Sequence, residues 1–202
     1  MSPYPQVSFF LFSLFFFVFS SCSEERQVVT SVEPYVVFDF SSDKPEQFLA
    51  VFVHAEDTSV PASLVVKKEN PKTDDMHSLE LYWESKSVCP VAEGLYSFLF
   101  SPLDSTLIQK GRYSFSFETD SGSKYVSSFN LDYIDSVATF SQEDARTVSG
   151  FKNREALFDK NGMLYYLGEK NEEKEKKSAF TSVCRISDNG RTVCLFPVEK
   201  HI

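Results

Sequence analysis

Hydrophobic and polar residues alternate along much of the chain, and this pattern predicts half-buried β-strands. In the segment "RYSFSFE", Tyr113, Phe115 and Phe117 fall on one face, while two serines and a glutamate fall on the other. A period of two residues with one apolar face is typical of antiparallel sheets that cover a core. Runs of this kind lie at Tyr35–Phe40, Phe48–His54, Ser63–Lys67, Leu79–Glu84, Leu95–Phe100, Arg112–Glu118 and Tyr125–Leu131. The chain is therefore predicted to be an all-β protein.

The number and spacing of these runs predict a two-sheet antiparallel sandwich over residues 31–133. Seven strands over about 100 residues, separated by turn-forming segments, are typical of such a sandwich. The segment "GRYSFSFETDSGSKYVSSFNL", residues 111–131, resembles the last hairpin of immunoglobulin-like and fibronectin III-like domains, in which Gly-x-Tyr opens the penultimate strand. The resemblance implies that Tyr113 lies near a sheet corner, where its hydroxyl bonds to a backbone group.

Residues 134–202 are predicted to form a short helix followed by a meander of β-hairpins. Ser141 is a suitable N-cap for a helix over Ser141–Ser149, because two acidic residues follow it. Asn161-Gly162 and Asn189-Gly190 predict hairpin turns of type I′. Between them, residues 169–178 mix both signs of charge, which is typical of a solvated loop. The sequence leaves open whether these strands extend the sandwich or form a small second unit.

The cysteines permit one disulfide at most after Cys22, because only Cys89, Cys184 and Cys194 remain. Cys184 and Cys194 flank the Asn189-Gly190 turn and are the candidate pair. A two-residue turn pairs Cys184 with Leu195 and sends Cys194 to the opposite face, whereas a three-residue turn brings the two cysteines together. The Asn-Gly preference and the consistency of the apolar face favour the first arrangement. Two buried free thiols are then the alternative to the bridge.

The N-terminal region resembles that of bacterial lipoprotein precursors. An uncharged apolar run over Val7–Phe19 is shorter than the roughly 20 residues that span a bilayer, and has the length of a signal-peptide core. The sequence Phe19-Ser20-Ser21-Cys22 fits a relaxed lipobox. With its Phe-rich leader and this lipobox, the chain most resembles the precursors of spirochaetal lipoproteins. The resemblance implies that residues 1–21 are removed and that the Cys22 sulfur receives diacylglycerol. Residues 1–21 contain no Lys or Arg, which departs from the usual pattern, and an uncleaved anchor is the alternative.

Lipidation at Cys22 predicts a protein held on a membrane of the cell envelope. Two or more acyl chains give stable membrane anchoring, while one chain gives only marginal binding. Residues 22–30 are then a lipidated tether. Ser23 stands where some lipoproteins of diderm bacteria carry an Asp that retains them in the inner membrane. The outer membrane is therefore favoured, and the leaflet is left open.

The charge balance argues against nucleic acid as a partner. The chain has 29 acidic and 20 basic residues, for a net charge of −9. Such a surface repels phosphate backbones, and no basic stripe is visible in the sequence. His54, His77 and His201 have no metal-ligand spacing, so no metal site and no cofactor are predicted.

The strongest catalytic candidate is Asp120, in the segment Asp120-Ser121-Gly122-Ser123, which resembles the active-site loop of aspartic proteases. That chemistry needs two carboxylates that share one proton, so a chain with one such loop would have to dimerise. Lys124 interrupts the apolar continuation of the motif, and Asp, Ser and Gly are also the residues of a hairpin turn. The segment is therefore interpreted as a hairpin turn. The alternative is that it forms the active-site loop of an envelope hydrolase that uses Asp120 as a dimer.

The sequence thus predicts a lipid-anchored envelope protein that acts as a non-catalytic binding or structural module. Another envelope protein, peptidoglycan or a host ligand would be its partner. The adjacent aromatics Tyr165 and Tyr166 indicate a contact surface, because neighbouring residues of one strand point to opposite faces.

Overall fold

The computed structural model describes residues 29–55, 61–69, 82–85, 89–92, 95–101, 108–120, 122 and 124–197. The predicted signal peptide, its cleavage site and Cys22 lie outside the described residues, as do His77 and His201. Of the predicted tether, residues 29 and 30 already belong to the first strand.

The described residues form twelve strands, in agreement with the predicted all-β class. These are β1 (Val29–Asp39), β2 (Glu46–Ala55), β3 (Pro61–Lys68), β4 (Tyr82–Ser85), β5 (Cys89–Ala92), β6 (Leu95–Phe100), β7 (Gly111–Thr119), β8 (Lys124–Leu131), β9 (Phe151–Phe158), β10 (Leu164–Gly168), β11 (Phe180–Ser187) and β12 (Thr192–Leu195). A 3₁₀ helix (Asp135–Thr139) and two short α-helices (Gln142–Thr147 and Glu172–Glu175) complete the described elements. Among the residues described, no helix combines the length and the apolar character that crossing a membrane requires.

The first eight strands form an immunoglobulin-like sandwich. One layer has the order β1-β2-β6-β5 and the other the order β4-β3-β7-β8. This is the arrangement of immunoglobulin domains, in which strands A, B, E and D form one sheet and C, F and G form the other. The sandwich predicted from strand spacing is thus confirmed. The prediction missed β5, which is four residues long and contains Pro90, a residue that weakens the signal for a strand.

The C-terminal strands extend the first layer of the sandwich and do not build a separate sheet. Its order continues through β1 as β10-β9-β11-β12-β1-β2-β6-β5, which gives eight strands. The junction is a parallel pairing of β1 with β12, with Val36 opposite Thr192 and Phe38 opposite Cys194. This junction adds a parallel pairing to the antiparallel sandwich that the sequence predicts.

The eight-stranded sheet separates two hydrophobic cores. Phe38 belongs to the core between the two sheets, whereas its neighbour Val37 belongs to a second core on the other face. Both residues are fully buried, as expected for a central strand that is covered on both faces. The sheet curls around the second core until β10 contacts β5 and β6, and the Ser97 hydroxyl donates to the Leu164 carbonyl oxygen at 2.5 Å. This layer therefore has the shape of an open barrel with an apolar interior.

The β11–β12 hairpin has the register that keeps the two candidate cysteines apart. Cys184 lies opposite Leu195, as the two-residue turn predicts, and Cys194 lies opposite Arg185. Cys184 packs in the second core and Cys194 in the core between the sheets, and both are buried free thiols. The candidate disulfide is therefore absent from this structure, because the sheet itself stands between the two sulfurs.

Both Asn-Gly hairpins form, but the predicted turn type is wrong. A type I′ turn needs positive φ at two successive central residues, and among the described residues only glycines have positive φ. The Gly162 N–H donates to the Asp159 carbonyl oxygen at 3.0 Å, and the Gly190 N–H donates to the Ser187 carbonyl oxygen at 2.8 Å. The Asp159 carboxylate also accepts from the backbone N–H of Asn161 at 2.8 Å, so side-chain bonds hold this turn.

The predicted helix begins at its predicted cap. The Ser141 hydroxyl accepts from the Asp144 N–H at 3.1 Å, and the Asp144 carboxylate accepts in return from the Ser141 N–H at 3.2 Å. This reciprocal capping box satisfies two backbone donors that the helix itself leaves open. Residues 169–178, predicted as a solvated loop, contain the one-turn helix Glu172–Glu175.

Tyr113 occupies the sheet corner that the resemblance implies. Its hydroxyl donates to the carbonyl oxygen of Gln109 at 2.5 Å, and its side chain is fully buried. The Tyr133 hydroxyl donates to the neighbouring carbonyl oxygen of Ile108. Two buried tyrosines thus tie the segment before β7 to the core.

Removal of the Tyr113 hydroxyl is expected to destabilise the protein measurably. In Tyr113→Phe the ring still packs but the hydrogen bond to Gln109 is lost, which lowers the free energy of unfolding by about 0.5–1.5 kcal/mol. Urea unfolding of the two proteins measures the difference. Tyr125→Phe, in the neighbouring strand, is the matched control and is expected to lose less. Equal losses in the two variants would contradict this role of Tyr113.

Candidate functional site

The interior of the curled sheet opens beside the first residues of β1, and we call this opening the start pocket. It is a cavity of about 280 Å³. Its lining combines three aromatic rings, three aliphatic side chains and four polar ones, namely Tyr35, Phe52, Tyr166, Val91, Leu95, Leu167, Ser31, Glu33, His54 and Lys174. Ligand sites are typically concave and apolar with a few polar groups that fix orientation, and they occur in the mouths of β-barrels.

Strand register brings the lining residues of β1, β2 and β6 onto one face. Ser31 lies opposite His54, and Glu33 lies opposite Phe52. His54 in turn lies opposite Leu95. Since directly paired residues of neighbouring strands point to the same face, these side chains form adjacent rows in the pocket. Two of the lining residues, Phe52 and Val91, belong to the second core.

Tyr35 forms one wall of the start pocket. Its ring meets Phe52 edge-to-face, with 5.7 Å between centroids and 89° between planes. Its hydroxyl donates to Glu33 Oε2 at 3.0 Å. Burial, followed by the neighbouring Glu33 carboxylate, raises the pKa of Tyr35 to about 12. The phenol is therefore a neutral donor at physiological pH and orients the Glu33 carboxylate.

Tyr166 forms the opposite wall and is covered by a lysine. The Lys174 Nζ lies 4.0 Å from the centroid of the Tyr166 ring. The Tyr166 hydroxyl donates to the carbonyl oxygen of Glu169 at 3.0 Å, and burial is the main reason that its pKa is raised. Lys174 is positioned by the one-turn helix, where its backbone N–H donates to the Asn171 side-chain oxygen at 3.1 Å.

The other end of the curled sheet has a second cavity, of about 330 Å³, which we call the far pocket. Its lining is dominated by apolar side chains, including Phe48, Leu99, Phe158, Phe180 and Phe196. Phe180 is 52% exposed. The start pocket is the better candidate site, because its charged groups converge with aromatic rings and can specify a ligand.

Asp120, the catalytic candidate of the sequence, lines neither the start pocket nor the far pocket. Asp120 is exposed in the β7–β8 turn, where the Gly122 N–H donates to the Thr119 carbonyl oxygen at 3.0 Å. Burial raises the pKa of Cys184 and of Cys194 to about 12 in each case, so both thiols are protonated and poorly nucleophilic. In the part of the chain that the structure describes, no three His, Cys, Asp or Glu side chains are placed to hold a metal ion.

Of the residues noted in the sequence, Tyr166 and His54 line the start pocket, whereas Tyr165 is buried. Sequence reasoning missed Glu33, Phe52 and Lys174. The adjacent tyrosines were the only local signal, because the other lining residues come together through the curl of the sheet.

No family model matches this chain. None of the curated proteins and none of the solved structures matches it either. The start pocket and the strand arrangement are therefore the observations from which a function is inferred.

The raised pKa of Tyr35 predicts a late step in an alkaline titration. Folding favours the neutral phenol, so the resulting stabilisation is fully present below pH 10.0 and is lost as the pH rises through about 12. Tyrosinate absorbance is read directly after a pH jump for the parent protein and for Tyr35→Phe. The difference between the two proteins should titrate near the raised pKa of about 12. In urea, where the protein is unfolded, the same difference should titrate near the ordinary tyrosine pKa of 10.0. A folded-state difference that also follows the ordinary value would contradict the burial of Tyr35 beside Glu33.

Proposed function

We propose that this chain is a lipid-anchored protein of the cell envelope whose body is a non-catalytic binding module, with the start pocket as its binding site. The observation that carries the proposal is the cavity of about 280 Å³, which Tyr35, Phe52 and Tyr166 line together with Glu33 and Lys174. Strands hold the three rings and Glu33, which favours a defined binding geometry.

The position of the pocket fits an anchored protein. The start pocket lies at the end of the sheet where β1 begins at Val29, and Cys22 precedes Val29 by seven positions. At about 3.3–3.6 Å per extended residue, such a tether reaches about 25 Å at most. With diacylglycerol on Cys22, the pocket would open close to the membrane surface. A ligand in the envelope could then reach it without leaving the membrane region.

A binding module is better supported than a hydrolase. An aspartic-protease mechanism needs a second carboxylate beside Asp120. Asp120 lies exposed in a hairpin turn, and the start pocket is built from other strands. The polar groups of that pocket form a rim around aromatic walls, which is an arrangement suited to recognition.

Photo-crosslinking in intact cells tests this proposal. A photoreactive phenylalanine analogue at Ser31, on the rim of the start pocket, is compared with the same analogue at Asn130, which is exposed on the four-stranded sheet. Illumination is expected to give a discrete adduct from position 31 alone, and Phe52→Ala should reduce its yield several-fold. Equal yields from both positions, or no adduct from position 31, would refute the start pocket as the binding site.

A further inference from the structure

Lys174 places an ammonium group of the chain itself inside the start pocket. Its Nζ lies 4.0 Å from the centroid of the Tyr166 ring, well within the range of a cation–π interaction. The hydrogen bond from the Tyr166 hydroxyl to Glu169 fixes that ring, so its face is already presented to a cation. The structure thus contains a cation at the site, and this cation is the ammonium group of Lys174.

The rest of the start pocket suits the same kind of group. Glu33 provides a carboxylate that Tyr35 orients at 3.0 Å, and a carboxylate has lone pairs for further donors. The aliphatic side chains of Val91, Leu95 and Leu167 offer an apolar wall to methylene groups. A long side chain with a charged tip packs its stem against such a wall and keeps its tip at polar groups.

The positive charges near the start pocket are engaged elsewhere. Arg154, which lies near Tyr166, pairs with Glu169 at 3.2 Å between Nη2 and Oε1. Arg191, which lies near Tyr35, donates from Nη1 to the Pro34 carbonyl oxygen at 3.1 Å. Both guanidinium groups are thus bound to acceptors, and the ammonium group at the Tyr166 ring is that of Lys174.

Lys174 lies on a short surface turn, outside the sheet. Its helix is four residues long, and isolated helices of this length have little stability of their own. The surrounding segment, residues 169–178, carries acidic and basic side chains in close succession and is mostly exposed. Displacement of Lys174 therefore requires the rearrangement of one short surface turn and leaves the sheet intact.

We propose that the start pocket binds the ammonium group of a lysine side chain presented by a partner peptide, and that Lys174 occupies this position in the unliganded protein. The inference rests on the proposed function and names its ligand class. Lys174 acts as an internal competitor, so its removal strengthens binding. The Tyr166 ring binds the incoming ammonium, as it now holds that of Lys174, and Glu33 lines the same pocket.

Saturation-transfer NMR on the full chain in detergent tests the proposal with Nα-acetyl-lysine methylamide as the probe. Lys174→Gln is expected to bind the probe about threefold to fivefold more tightly than the parent, since an exposed cation–π contact is worth about that factor. Lys176→Gln, in the same segment, is the matched control and should leave the affinity unchanged. Nα-acetyl-norleucine methylamide, which has no charge, should give no saturation transfer at the same concentration.

Ring variants in the Lys174→Gln background separate the binding role of Tyr166 from a role in folding. Tyr166→Phe keeps the ring but loses the hydrogen bond to Glu169, and it should retain most of the probe affinity, while Tyr166→Leu should lose most of it. Equal binding of the lysine and norleucine probes, or equal affinity in the parent and Lys174→Gln, would overturn the ligand class. If the lysine probe does not bind while the photo-crosslinked adduct at position 31 still forms, the ligand class is wrong and the proposed function stands. If both fail, the binding site itself is wrong.

Discussion

Phe98→Ala is expected to lower the free energy of unfolding by about 3–5 kcal/mol, the usual cost of deleting a buried phenyl ring. Phe98 is fully buried in the core between the two sheets. Its ring meets that of Phe117 edge-to-face, with 6.3 Å between centroids and 86° between planes. Phe98 lies in β6 and Phe117 in β7, so this pair joins the two layers of the sandwich. Urea unfolding followed by circular dichroism measures the loss.

The matched control for this variant is Phe180→Ala. Phe180 begins β11 and is 52% exposed, so the same chemical deletion removes far less buried surface. Its loss should therefore be well below that of Phe98→Ala. Comparable losses in the two variants would mean that the layers are not held together by the core described around Phe98.

Cys22→Ser is expected to abolish fatty-acid incorporation completely. The proposed diacylglycerol is attached through the cysteine sulfur, and a thiolate is a far better nucleophile than a serine hydroxyl. Cells grown with a labelled fatty acid should label the parent protein and not the variant. The measurement is the label recovered on the immunoprecipitated chain.

Cys184→Ser is the control for the labelling experiment. Cys184 is buried in the second core and does not bond to another cysteine. This variant should keep the full label, unless its stability falls so far that the chain is degraded, which immunoblotting of the same samples detects. Label that persists in Cys22→Ser, or that disappears equally in both variants, would contradict lipidation at Cys22.

Much of the sandwich was predictable because its signals are local. Alternation in "RYSFSFE" sets the inward face of β7, and the structure buries Tyr113, Phe115 and Phe117 as expected. Ser141 marks the start of its helix through a side chain that reaches only three residues ahead. The separation of Cys184 from Cys194 also followed from the sequence, because face consistency in a hairpin is a short-range property.

The parts that sequence reasoning missed depend on contacts between distant segments. The parallel pairing of β1 with β12 joins Val36 to Thr192, and no periodicity within either strand encodes that partner. The turn at Asn189-Gly190 differs from type I′ because contacts around it, such as the Ser187 hydroxyl accepting from the Thr192 N–H at 3.0 Å, override the dipeptide preference. Tertiary context decides such cases.

The start pocket was hidden for the same reason. Its wall residues belong to β1, β2, β5, β6 and β10, and Lys174 belongs to a surface helix. They converge because the eight-stranded sheet curls until its edge strands meet. The adjacent tyrosines in β10 indicated one wall of the start pocket. The residues of the opposite wall can be identified only when the strand order is known.

Intact-mass spectrometry of the protein purified from its native membranes is the most direct test of the proposal that this binding module is held on a membrane by lipid at its mature N-terminus. We expect a chain that begins at Cys22 and carries the added mass of a diacylglycerol, with or without an N-linked acyl chain. A mass that still includes residues 1–21, or a chain that begins at Cys22 with an unmodified thiol, would contradict it.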